Sequence, residues 1–281
     1  MRRRSWFSVL GSWVVALWMC PASSAVEATS AASGIGEGVI VGGVAAGRAE
    51  LIAGRVARIR HDIHTLLTGS AAVHPWVPAC RIHVHGDRTE FSRAVAGAPR
   101  TARGATTIEF DDDRVRLRRI DVIDGGGEAV PDALAHEVAH VVLAEWFPDV
   151  PPPRWADEGL AVLCDDPAKQ AGHHDDFRAA LARGQAWTIA GLMAMDYEPA
   201  EPGRQRVFYG QSAALTRRLL ERRGGPAFLR LLRDITDHGA ATVVPRLDDI
   251  RAVTAADLAD SGGPRPGRPR VPDVSDPGAA P

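Results

Sequence analysis

Ala135-His136-Glu137-Val138-Ala139-His140 sets two histidines four residues apart, with a glutamate directly after the first. On a helix of about 3.6 residues per turn, positions four apart share a face, with Cβ atoms about 5–6 Å from each other. His136 and His140 can therefore offer two imidazoles to one metal ion. Glu137 is rotated by roughly 100° from His136. It borders the ion without lying in line with the ligands, which is where a general base for a metal-bound water belongs.

The flanks support a helix. Pro131 suits a first helical position and Asp132 puts negative charge in the first turn. Leu134, Val138, Val141 and Val142 form an apolar stripe, and Phe147 precedes Pro148, where a helix should stop. The pattern predicts a helix over 131–147 with the motif in its middle.

A catalytic zinc takes three protein ligands and keeps one position open for water. The third candidate lies in Pro153-Arg154-Trp155-Ala156-Asp157-Glu158-Gly159-Leu160-Ala161. Glu158 is favoured. Enough chain separates it from His140 to end one helix, turn through Pro151-Pro152-Pro153 and start another, and Gly159 would let that second helix come close. Asp157 is the rival; pointing about 100° away, it could steady a histidine instead. A third histidine six residues past His140 is excluded, because Trp146 stands there.

These two motifs resemble those of the gluzincin metallopeptidases, thermolysin-like in broad plan, and most of all the small exported domains described as peptidase MA-like. Tyr209-Gly210-Gln211-Ser212-Ala213-Ala214-Leu215 is similar to a helix that such domains carry after the site. The resemblance covers roughly 48–239. It implies an α+β, zincin-like fold: a small β-sheet, an active-site helix carrying the motif, and a helical C-terminal subdomain. It further implies zinc, one ion per chain, on His136, His140 and Glu158, Glu137 as base, and Tyr209 as the donor that steadies the oxyanion. Tyr197 is the other phenol available, and an aromatic at 209 more commonly serves only to anchor its helix. The chain departs from thermolysin at Asp157, where an Asn precedes the ligand Glu, and at Val162, where an Asp follows four residues later. Thermolysin's substrate preference therefore does not carry over.

The N-terminus reads as an export signal over 1–25. Arg2-Arg3-Arg4 is the charged part, 6–19 the apolar part, and Pro21-Ala22-Ser23-Ser24-Ala25 the small-residue cleavage site. The apolar run is short for a spanning helix, so no membrane span is expected after cleavage. Residues 26–47, rich in Ala, Gly and Ser, read as a flexible linker. The metallopeptidase-like domain is expected over 48–254, α/β to 147 and helical from 148, and the Pro/Gly/Arg-rich 255–281 as a disordered tail.

Of the 33 basic residues only Lys169 is a lysine, and the net charge of −2 becomes −5 once the three leader arginines are gone. No basic field for nucleic acid survives. Once the leader is removed with Cys20, Cys80 and Cys164 remain; they could form one disulfide or stay as buried thiols.

Within the domain, apolar spacing predicts a helix over 48–67, strands over 81–85, 106–110 and 115–122, and a short helix at 91–95. Helices follow over 155–164, 177–183, 189–194, 207–223 and 226–238. His83 and His85 share one strand face, so a second metal site is conceivable, though such a face commonly points outward. His173-His174 is read in a polar loop. The strand at 106–110 could pair with an extended peptide backbone. The expected partner is thus a peptide or protein substrate. A zinc hydrolase of another substrate, or a non-catalytic binding module, is the alternative.

Overall fold

The computed structural model describes residues 38–260 apart from 113 and 127–129, and in backbone only Arg3–Val9, Ser12–Trp13 and Ile35–Gly36. The expected cleavage site and the tail beyond 260 lie outside the described residues. The chain forms two compact units, Met1–His61 with Val73–Val141, and Asp62–Ala72 with Val142–Pro281.

In the first unit, strands β1 (Arg3–Val9), β2 (Ser12–Trp13), β3 (Ile35–Gly36) and β4 (Val39–Gly42) lead into helix α1 (Ala46–Thr68). Strand β5 (Cys80–His85), helix α2 (Arg88–Ala94), strands β6 (Gly104–Asp111) and β7 (Arg114–Ile123), and helix α3 (Leu134–Ala144) follow. The strands make one sheet in the order β2-β1-β6-β7-β5-β4-β3. β4, β5 and β7 run parallel, and β6 pairs antiparallel with β7 and with β1. The connection β4–α1–β5 is therefore a crossover, the unit that parallel neighbours require. The class is α+β.

The expected linker is corrected at its end. Val39-Ile40-Val41 is a β-branched run that fits a pleated, buried surface, and Val39 and Val41 are fully buried beside β5. The surrounding glycines favour a linker, and burial of the β-branched run outweighs them. The β6 edge pairs with Arg3–Val9, a segment of the expected leader, with Trp6 opposite Ile108.

Side chains alternate across the sheet as the two-residue period demands. Ile82, Val84, Ile108, Ile120 and Val122 line one face and are buried. On the other face Phe91 and Val95 cover Ala105 and Ile123. Asp87 caps α2, accepting from the Thr89 and Glu90 amides at 2.7 and 2.9 Å. Arg48 on α1 grips Asp124, just past β7, through two bonds of 2.7 and 2.6 Å. This grip holds the Asp124 carboxyl down to about 2. A carboxyl depressed when folded contributes stability above its unfolded value of about 3.9, and that stability is lost as pH falls toward 2. Arg48→Ala should cost about 0.5 kcal/mol at pH 7, since the pair is partly exposed. Urea melts should then show the gap to wild type closing near pH 2; a gap that stays constant would contradict the linkage.

The second unit is helical: α4 (Arg154–Leu163), α5 (Pro167–Ala182), α6 (Ile189–Met193), α7 (Pro202–Arg223) and α8 (Gly225–His238), followed by short helices, the last of which, Ala255–Asp260, buries Leu258 and so corrects the start of the expected tail. Every residue of α4 is buried. Its tight partner is α7: a side-chain carbon on Gly159 would overlap Thr216 Oγ1 and come within 2.6 Å of the Ser212 carbonyl oxygen. On α8, Phe228, Leu231, Leu232 and Ile235 form the buried stripe, and Phe228 meets Trp155 edge-on. The polar loop expected around His173-His174 is instead helix. Asp166 caps it from the Ala168 and Lys169 amides, and Pro167 sits at its start. Cys80 and Cys164 are both buried and form no disulfide with each other, and burial pushes the Cys164 thiol far up. No helix among the described residues is long and apolar enough to cross a membrane.

Candidate metal centre

Helix α3 begins after a turn in which Leu134 N–H bonds to the Pro131 carbonyl, and it tightens at its end through i→i−3 bonds up to Phe147. Between these ends it is apolar nearly all round. Leu134, Val138, Val141, Val142 and Leu143 are each at most 1 % exposed, the pattern of a core helix. His136, Glu137 and His140 are polar exceptions inside that core, at 1, 1 and 2 % exposure. Polar groups are buried at such cost only when they are satisfied.

The two imidazoles face each other edge-on, with centroids 5.0 Å apart. One ligand atom each from His136, His140 and Glu158 lies within 4.8 Å of the other two. A tetrahedral zinc with bonds of about 2.0–2.1 Å needs its ligand atoms roughly 3.4 Å apart, a small adjustment from that spread. Two imidazoles and one carboxylate form a donor set that could hold a divalent cation such as zinc. It is the only such group among the described residues.

Glu137 is held from the sheet. Thr106 Oγ1 lies 2.7 Å from its Oε2, a hydrogen bond to the carboxylate, and 3.1 Å from its backbone carbonyl. Oε1 lies over Gly104, where a side-chain carbon would come within 2.5 Å of it and 2.7 Å of Cγ. The carboxylate is thus seated by one hydroxyl and by one missing side chain. Neither contact was foreseen from the sequence, because each joins residues 31 or more positions apart.

Around Glu158 lies a charged cluster. Arg154 Nη2 is 2.7 Å from Glu158 Oε1, and Arg154 Nη1 is 3.1 Å from Asp157 Oδ2. Asp157, the rival ligand, therefore pairs with Arg154 and is not in the three-residue group. Arg154 also meets Glu198, whose Oε2 accepts from Tyr209 at 2.7 Å and Gln205 at 2.8 Å. These four charged side chains are all buried. One guanidinium faces three carboxylates, and a divalent cation at Glu158 would offset part of their charge.

Tyr209 is buried, donates its hydroxyl to Glu198 and packs against the His173 ring at 5.4 Å. Tyr197 is 75 % exposed. On the far face of the sheet, His85 bonds Asp121 through Nε2 at 2.8 Å, and Arg119 bonds the same carboxylate. Burial alone would raise the Asp121 carboxyl, but the His85 and Arg119 bonds hold it below its usual value. Burial, with His85 close by, lowers the His83 imidazole. The His83 and His85 rings are tilted to each other with centroids 4.6 Å apart, and they join no three-ligand group among the described residues.

No family model matches the chain, and no curated protein or solved structure matches it.

Proposed function

We propose that this chain is an exported zinc-dependent metallopeptidase built on a zincin-like domain. The observation that carries the proposal is the buried group His136, His140 and Glu158, set beside a glutamate whose carboxylate is seated by Thr106 and Gly104. A purely structural metal site needs no such base next to it. When bound, zinc supplies Lewis-acid polarisation of a carbonyl and a water acidified toward neutrality.

The chain's own residues do the rest. Glu137 takes the proton of the attacking water on its carboxylate and passes it to the leaving amine nitrogen. Thr106 keeps that carboxylate in one rotamer during both transfers. Tyr209 is the phenol assigned to the oxyanion; to serve, its hydroxyl must turn from Glu198 to the substrate oxygen. The substrate is a peptide or protein, taken up after the leader is removed by export.

Elemental mass spectrometry on purified mature protein tests the metal centre. About one zinc per chain is expected in the wild type and none in His140→Ala or Glu158→Ala. A wild type that neither carries zinc nor takes it up on addition would sink the proposal.

A further inference from the structure

We infer that Glu198 is a positioning residue for the metal ligand Glu158, acting through Arg154. The inference rests on the metal centre proposed above. Its basis is a chain of contacts within the helical unit. Glu198 lies in the loop between α6 and α7, 44 positions from Arg154, and its side chain is fully buried. A buried carboxylate is costly unless several groups meet it, and here both oxygens are met. Oε1 takes Arg154 Nη2, and Oε2 takes the Tyr209 hydroxyl and the Gln205 amide.

The same Nη2 atom lies against Glu158 Oε1. Arg154 is therefore shared: Glu198 on one side, Glu158 on the other, and Asp157 on its second nitrogen. Two consequences follow for the ligand. A guanidinium fixed by Glu198 stops the Glu158 carboxylate from turning about its last bond, so it meets a metal in one orientation. Glu198 also draws part of the guanidinium's charge to itself. Without it, Arg154 would lean wholly on Asp157 and Glu158 and weaken the ligand's hold on a cation. Residues behind a ligand commonly change metal affinity about 10–100-fold.

Glu198→Gln keeps the size and, with its amide oxygen toward Tyr209 and Gln205, keeps those two bonds, while it removes both the charge and the acceptor that Arg154 meets. Arg154→Lys keeps the charge, but a single ammonium cannot reach three carboxylates as a planar fork can. Zinc affinity would be measured by competition with a chromophoric chelator, alongside the visible spectrum of the cobalt-substituted protein and far-ultraviolet circular dichroism. Both variants are expected to keep the wild-type fold, bind zinc about 10–100-fold more weakly and show an altered cobalt spectrum. Folded variants with wild-type affinity and spectrum would overturn the positioning role while leaving the metal centre intact. Loss of fold in both would make the cluster a structural pin and overturn it equally. A wild type that binds neither zinc nor cobalt would remove the metal centre itself, and this inference with it.

Discussion

Replacing Glu137 by Gln is expected to lower kcat/KM on a cleaved peptide about 100- to 10,000-fold, the span attributed to general acid–base catalysis, with zinc content unchanged. The substitution is nearly isosteric. The introduced amide can still accept the Thr106 hydroxyl bond, made at 2.7 Å in the wild type, and it still fits over Gly104. His136 and His140 are untouched, so the metal has no reason to leave. What disappears is the atom that accepts a proton from water. Peptide-library digestion by wild type and variant, each with its zinc per chain measured, reads both halves of this expectation. Turnover equal to wild type in a zinc-loaded variant would remove Glu137 from the mechanism.

Gly159→Ala is expected to damage the helical unit although it changes only one small residue. Ala is favoured over Gly in a helix interior by about 0.5–1 kcal/mol, so on propensity alone the variant would be stabler. Packing opposes it. The new carbon would overlap Thr216 Oγ1 and lie 2.6 Å from the carbonyl oxygen of Ser212, with the carbonyl carbon at 2.9 Å. The last two are α7 backbone atoms, which cannot turn aside as a side chain can. Over-packing of this kind costs about 1–3 kcal/mol and at times more, and here the upper end should outweigh propensity. A net loss of about 2 kcal/mol, read as roughly 4–8 °C in Tm, is expected. A higher Tm would mean that α4 and α7 yield more readily than their contact implies. Glu158 is the preceding residue, so weaker zinc retention should accompany the loss.

The site was legible where chemistry forces a short spacing. His136 and His140 had to be four apart to share a helix face, and Glu137 had to be adjacent. Glu158 was legible for a different reason: three proline residues and a glycine mark out a second helix that can approach closely. Thr106, Gly104, Arg154 and Glu198 were not foreseen in their roles. Each acts across the fold, and no local period records that a threonine in one strand will meet a glutamate 31 residues later. Among the elements, β4 was hidden because glycines around Val39-Ile40-Val41 carried more weight than the three β-branched residues themselves. Helix α5 was cut short because it is polar on most faces, with only Phe177 and Ala180 buried. The signal that could have found its start was present in Asp166-Pro167, a cap followed by a residue suited to the first turn.

Helix α3 shows almost no surface: of its eleven residues only Ala135 is more than slightly exposed. Amide hydrogens in such a helix have no local opening by which to exchange, because fraying needs exposed backbone to begin from. Their exchange should follow the opening of the whole domain. The two histidines ride on that helix, so their separation is as durable as the native state itself. A metal held there would therefore meet its two imidazoles at one fixed separation.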